Sequence, residues 1–326
     1  MTQQASSSLT RLSIETAAYL AIARPQRIND GLDLTLTDHS FLPRPDDLAS
    51  DWVASVAAPA FKLLRQQRGP QAAFCSIGTG SGLDALVGIE ILSASCVGIT
   101  DVHEDVVRTA AENIARNHRS ECPVAIEAGY GDLLTPLRDF HPRYDVIYEN
   151  LPNIPLQQGA HLDEKRTSSS HVSPRSETLP QFVSKQLLEL HYLALRQSRD
   201  FLRPGGVVLS MLGGRVPLKV FHRMARHAGF SPVVLSYTWK VQTDPEAMIR
   251  RHAEQQQAGF GPFFFYPAKV LEKTFASIDP ATTGSRAGEI EAALLPRRLD
   301  AVAAYAAFKE GVRIGHTVVV LQSQPA

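Results

Sequence analysis

Three glycines on alternate positions, Gly78, Gly80 and Gly82, interrupt the apolar run Phe74-Cys75-Ser76-Ile77 and lead into a helical pattern from Leu83. A strand that breaks into such a turn lets the backbone come close to a ligand, and the first amides of the following helix favour polar or anionic groups. The spacing is G-x-G-x-G, not the G-x-G-x-x-G of a dinucleotide site, which points to S-adenosyl-L-methionine and away from NAD. A plain structural turn is the alternative. Asp101 stands 23 residues after Gly78, at the end of the next apolar run, where an acid can accept hydrogen bonds from both ribose hydroxyls. Asp132 follows Gly131 at the end of a third run and could accept from an adenine amino group, although Gly-Asp is also turn chemistry. The expected cofactor set is Gly78, Thr79, Gly80, Gly82, Asp101, Val102, Asp132, Leu133 and Asn150.

At the end of a fourth strand, Asn150-Leu151-Pro152-Asn153 partly resembles the Asn-Pro-Pro-Tyr motif of methyltransferases that modify amide or base nitrogens. Loss of the aromatic residue argues against a planar acceptor, and an Asn-Pro turn is the structural alternative. Further on come the segment 208–215, ending in Gly213-Gly214-Arg215, then Ser236-Tyr237-Thr238-Trp239-Lys240-Val241-Gln242-Thr243-Asp244, and Leu294-Leu295-Pro296-Arg297-Arg298-Leu299 with the helical pattern after it. On these segments the chain, over about Asp33 to Leu321, resembles the methyltransferase domain of plant methionine S-methyltransferase and its free-standing bacterial relatives. More distantly, Leu42-Pro43-Arg44-Pro45-Asp46 is similar to the protein-glutamine methyltransferases that act on release factors. Ser76 stands where the family carries an acid two residues before the first glycine.

The resemblance implies methyl transfer to the thioether sulfur of L-methionine, giving S-methyl-L-methionine, a first step towards dimethylsulfoniopropionate. A thioether has no proton to lose, so alignment replaces a general base. Charge passes from one sulfonium to another, which suits carboxylate and aromatic faces in a dry site. Tyr148, Glu149 and Asn150 are the expected catalytic group. Asn150, Pro152, Asn153, Arg215, Tyr237 and Trp239 are the expected substrate contacts, with Arg215 a planar fork for the carboxylate and Glu149 or the Asn150 carbonyl for the ammonium. Each has a plainer alternative, Arg215 in a salt bridge and Trp239 in the core. Two other functions stay open: N-methylation of another amino acid, a small metabolite or a protein glutamine, and a non-catalytic cofactor-binding regulator.

These residues need a scaffold that brings them to one edge. Short apolar runs at 73–77, 95–100, 124–128 and 145–148 alternate with helical patterns, which predicts a Rossmann-like, mostly parallel, seven-stranded α/β sheet with helices on both faces. Periodicity predicts an N-terminal helix over 9–23 within an extension to residue 45, a short strand at 32–36 and a helix from Asp46 to about Gln66. The core then runs over 46–241, with a lid-like loop at 156–179 and one long helix over 181–201. An insertion at 242–316 is expected to cap the substrate before a final core strand in 317–326.

The chain has 326 residues and 33 basic against 33 acidic side chains, so nothing calls for a nucleic-acid or membrane partner. The reading expects a small-molecule substrate and allows a homodimer. Cys75, Cys96 and Cys122 are too scattered for a disulfide framework or zinc site, and His161, His171 and His191 lack ligand spacing, so no metal is assigned. With no apolar run near 18 residues and a polar start, a cytoplasmic protein is expected.

Overall fold

The computed structural model describes residues 9–140, 143–156 and 171–326. It opens with a strand where a helix was expected: β1 (Thr10–Glu15), a single helical turn α1 (Thr16–Leu20), and β2 (Gly31–Leu36), antiparallel to β1 from Thr10↔Leu36 to Glu15↔Gly31. The spacing over 9–23 hides an alternation, with Leu12 and Ile14 on one face and Arg11, Ser13 and Glu15 on the other. Glu15 ends the strand by capping α1, accepting from the amides of Ala17 and Ala18 at 3.2 and 2.7 Å. The helix expected from Asp46 also starts late. Asp51 accepts from the Val53 and Ala54 amides, and a π-helical turn, Val53–Ala57, leads into α2 (Ala58–Arg68).

The alternating stretch follows: β3 (Ala73–Ile77), α3 (Leu83–Val87), β4 (Cys96–Asp101), α4 (Glu104–Asn117), β5 (Ala125–Tyr130) and β6 (Tyr144–Glu149). Two-residue strands β7 (Ile154–Pro155) and β8 (His171–Val172) then pair in parallel. Most of the expected lid, 157–170, lies outside the described residues. The single helix expected over 181–201 is two, α5 (Gln181–Lys185) and α6 (Glu189–Ser198), because Leu187 between them takes a left-handed conformation (φ 57°). The remainder is β9 (Leu202–Gly213), α7 (Leu218–His227), β10 (Phe230–Val241), α8 (Pro245–Gln257), β11 (Phe264–Pro267), α9 (Ala268–Phe275), α10 (Ala287–Leu294), β12 (Leu299–Asp300), α11 (Ala301–Lys309) and β13 (Ile314–Pro325).

Nine of these strands form one sheet in the order β12-β11-β13-β9-β6-β3-β4-β5, with β10 also on β13. The five strands from β9 to β5 are parallel, and β13 runs antiparallel to both β9 and β10. This is the doubly wound, Rossmann-like α/β arrangement anticipated from the alternation, with seven strands in the core. The stretch between β10 and β13 adds the other two, since β11 pairs with the start of β13 (Tyr266↔Gly315) and β12 pairs with β11; β13 begins at Ile314, before the expected start of the last strand.

Each face of the sheet buries its own apolar layer. Phe61, Phe74, Leu86 and Tyr148 belong to one; Tyr144, Leu195, Phe221 and Phe265 belong to the other. A fully buried side chain of this size contributes about 1.5–3 kcal/mol, so the two layers hold the strand ends rigidly. Among the described residues no helix is long and apolar enough to cross a membrane.

The hairpin is tied to this core through side-chain amides. Asn113 and Asn117, one turn apart on α4, each accept from and donate to the backbone of β2, at Thr35 and Asp33 respectively, at 2.8–3.0 Å. They act as a short surrogate strand for the edge of β2. Asn113 also donates to the Ser81 carbonyl at 2.9 Å, so the same side chain steadies the glycine turn.

Candidate active site

The strand order reverses at β3: β4 and β5 lie to one side, β6 and β9 to the other. Ligands of doubly wound sheets bind outside the carboxyl ends at such a switch point. Here a cavity of about 680 Å³ opens, lined by residues from the ends of β3, β4, β5, β6 and β9, from the β2–α2 connection and from the start of α8.

The glycine turn forms its floor. Thr79 donates its amide to the Thr100 carbonyl at 2.9 Å, and Gly82 donates to the Thr79 carbonyl at 3.0 Å. Gly78, Gly80 and Gly82 all have left-handed φ (68°, 53° and 81°), which explains three glycines in five residues. Their surroundings differ. A Cβ on Gly80 would meet nothing within 4 Å, so bare backbone faces the cavity, whereas one on Gly82 would sit 2.9 Å from the Ala110 carbonyl oxygen. Gly82 therefore serves the packing of α3 on α4 and does not line the cavity, a correction to its expected cofactor role.

Asp101 accepts from the Gly80 and His103 amides, each at 3.3 Å, and burial raises its carboxyl to about 6 against those two bonds. Val102 beside it and Leu133 on the next strand end give the apolar walls of the same lobe. Asp132 reaches the cavity with both oxygens already held by Arg175, at 2.6 and 3.0 Å, and Arg175 is shared with Glu177. An adenine amino group at Asp132 thus has to coexist with a bidentate arginine. A turn of bare backbone beside an inward carboxylate and two apolar walls suits a nucleoside, and the cavity is large enough for an S-adenosylmethionine-sized molecule.

Asn150, Pro152 and Asn153 line the cavity, as does Leu151. Tyr148 and Glu149 do not, because successive residues of β6 point to opposite faces of the sheet and both end in the layers beneath the site. The Tyr148 ring packs against Phe61 and Phe74, and its hydroxyl bonds Asp84. Glu149 is completely buried behind His191, whose Nδ1 lies 2.7 Å from Oε2 and whose ring lines the cavity.

Tyr237 and Trp239 are further corrections. They lie on β10, separated from β9 by β13, and pack in the apolar layer with α9, so neither reaches the cavity. Of the alternate residues of the same segment, Gln242 reaches the cavity, while Lys240 lies behind the lining, under Trp52. Lys240 is buried with its Nζ 4.4 Å from the ring centre of the cavity-lining Trp52, donates to the Ser50 carbonyl, and is pushed down to about 7 by burial. Gln242 lines the cavity and accepts from Arg215 at 2.6 Å.

Arg215 is 94% buried, since 6% of its surface remains exposed. Gly213 leaves the space its guanidinium passes through, and Gly214 fits against Thr317, which accounts for the Gly-Gly-Arg sequence. The guanidinium lies 5.6 Å from the Phe265 ring centre, its Nε has no hydrogen-bond partner, and no acid pairs with it among the described residues. Burial lowers it only to about 10, so it stays cationic at neutral pH.

Sequence reasoning missed the contributions of His39, Phe41, Trp52, Asp84, His191 and Arg251. Of these only Asp84 carried a signal, as an acid inside an apolar helical run directly after the glycines. His39, His103 and Asp105 place three potential ligand atoms within 4.8 Å, but the imidazoles are stacked 4.2 Å apart at 9°. Their in-plane lone pairs run along parallel planes and do not converge on one ion.

No family's sequence model matches the chain. Over 134 residues it is 31% identical to the release factor glutamine methyltransferase of Agrobacterium fabrum, a match covering 41% of this chain and 43% of that protein. The match thus spans less than half the length of that relative. Among solved structures, a methyltransferase from Pyrococcus furiosus aligns with 56% of this chain and 77% of its own at 20% identity and a TM-score of 0.37. A SAM-dependent methyltransferase from Agrobacterium tumefaciens aligns with 62% of this chain and 59% of its own at 13% identity and a TM-score of 0.38.

Proposed function

We propose that the protein is an S-adenosyl-L-methionine-dependent methyltransferase whose acceptor is the thioether sulfur of L-methionine. The observation that carries the acceptor is Arg215, a buried guanidinium on the cavity wall with no acid paired to it among the described residues. Burying such a charge costs several kcal/mol unless a ligand completes it, and a substrate carboxylate does so with a planar fork. S-adenosylmethionine, when bound, supplies a methyl group made electrophilic by its sulfonium. Gly80 and Asp101 hold the nucleoside end, with Val102 and Leu133 as its walls. Arg215, kept in place by Gln242, orients the acceptor by its carboxylate, and the Asn150–Asn153 turn closes the side between the two lobes. The sulfur needs no base, so the chain's work is alignment and exclusion of water.

A second reading, methylation of a glutamine nitrogen, is favoured by one specific observation. His191 backed by Glu149 is a proton-accepting pair that a thioether does not require and an amide nitrogen does. An acceptor screen with product mass detection separates the two. Turnover of methionine to S-methylmethionine supports the first, and turnover of a glutamine-containing peptide with none of methionine replaces it with the second. Arg215→Lys, which keeps the charge and loses the fork, is expected to raise the methionine KM about tenfold or more while leaving cofactor affinity within about twofold.

A further inference from the structure

Asp84 is a carboxylic acid that the nucleoside lobe and the acceptor arginine leave without a task. It stands in the first turn of α3, directly after the glycine turn, and lines the cavity. One of its oxygens takes the Tyr148 hydroxyl; the other, Oδ1, is shut off from solvent and has no hydrogen-bond partner among the described residues. Among the described residues, the charged and titratable groups facing it are Tyr148 from β6, Asp51 from the turn before α2, and Tyr19 from α1. None is a cation. Asp51 is already satisfied, accepting from the Tyr19 hydroxyl and from the amides of Arg44, Val53 and Ala54. Tyr19 is thereby engaged elsewhere, and Asp84 is left as the acid with a spare oxygen.

The side chain forms part of the cavity wall with its unpaired oxygen just behind the surface, and the sheet order says which part of a ligand that wall faces. Asp101 marks the nucleoside at the end of β4, on one side of β3; Tyr148 brings Asp84 to the β6 side. A molecule laid across the carboxyl ends with its ribose at Asp101 therefore directs its other end past Asp84. For S-adenosylmethionine that end carries two positive groups, the sulfonium and the ammonium, beside one carboxylate, a net positive charge. Ser76, two residues before the first glycine, cannot serve this end, because it is completely buried and does not line the cavity.

We propose that Asp84 is the counter-ion for the positive charge at the methionyl end of the cofactor, with Tyr148 as the positioning residue that aims it. The inference rests on the S-adenosylmethionine reading above. It also gives Tyr148 a role from beneath the cavity that it does not line. Burial holds the Asp84 carboxyl up at about 7, so near neutral pH much of it is protonated until a cation arrives.

Calorimetric titration of S-adenosylmethionine and of S-adenosylhomocysteine, its demethylated thioether, into wild type, Asp84→Asn and Tyr148→Phe at pH 7, in two buffers of different ionisation enthalpy, tests this. Wild type is expected to release a fraction of a proton on binding S-adenosylmethionine, and Asp84→Asn to lose that release. The Asn variant is expected to bind about tenfold more weakly for each unit by which the cation would have lowered the carboxyl. Weakening confined to S-adenosylmethionine assigns Asp84 to the sulfonium; equal weakening of both compounds assigns it to the ammonium, which both carry. Tyr148→Phe should show a smaller loss in the same direction. Unchanged affinity and unchanged proton release in Asp84→Asn overturn the proposal, and if that variant does not fold, the same result in Tyr148→Phe does so. Wild type that binds neither compound overturns the cofactor reading itself, and the proposal with it.

Discussion

Replacing Asp101 by Asn should make the protein more stable and worse at holding its cofactor at the same time. The carboxyl sits at about 6 against an ordinary 3.8, because burial outweighs the Gly80 and His103 amides that favour its ionised form. Two units correspond to about 3 kcal/mol of native-state cost once the group is ionised. The unfolded chain sheds this proton near pH 4 while the native chain keeps it to about pH 6, so wild type loses stability as pH rises through that window. Asn removes the cost and weakens two amide bonds by about 1 kcal/mol in total, leaving a net gain of about 1–2 kcal/mol at pH 7.5. Binding moves the other way. Hydroxyls donated to a carboxylate are worth about 1.5–3 kcal/mol each, so losing the charge should weaken S-adenosylmethionine by about 10- to 100-fold. Wild-type affinity should likewise fall as pH drops below about 6. Urea unfolding at pH 4.5 and 7.5, with calorimetric binding alongside, measures both. An Asn variant that is destabilised at pH 7.5, or that binds as tightly as wild type, refutes the ribose role and the reasoning behind it.

The turn glycines should separate by readout. Gly82→Ala drives a Cβ to 2.9 Å from the Ala110 carbonyl at a φ of 81° and should cost about 2–3 kcal/mol in thermal or urea unfolding. Gly80→Ala meets no atom within 4 Å and should cost only about 1–2 kcal/mol of backbone strain while sharply reducing cofactor affinity; equal effects on both measurements would show that the two positions are not distinct. Lys240→Met should flatten a pH slope. The native lysine is held near 7, so between about pH 7 and 10 the unfolded chain binds a proton that the native chain does not, and wild type gains stability as pH rises. If the Met variant keeps the same gain in urea unfolding across that range, Lys240 is not the source.

Much of the architecture is local and readable from the chain itself. The strand–glycine–helix junction, the alternation that makes the sheet parallel, and the acids at strand ends all depend on neighbours within a few residues and on the period of apolar side chains. The same local information puts Gly80, Asp101, Asn150 and Arg215 at one edge of the sheet. It fails where two periods overlap, as in 9–23, where an alternating strand followed by one helical turn imitates a helix. It fails again where a single left-handed residue, Leu187, divides what reads as one helix.

Which way a side chain points depends on what packs above each face, and that only tertiary structure decides. Tyr148 and Glu149 are close to Asn150 in sequence, yet the pleat sends each into an apolar layer, and among the described residues they touch the site through Asp84 and His191. Tyr237 and Trp239 lose their expected place because β13, from the far end of the chain, inserts between β10 and β9. Gln242, out of phase with them, gains it, and Lys240 comes only as near as the back of Trp52. The glycine turn with Asp101 selects a cofactor type from sequence alone, whereas the pairing of Arg215 with Gln242 across 27 residues, and of Asp84 with a tyrosine on another strand, exists only once the sheet has assembled.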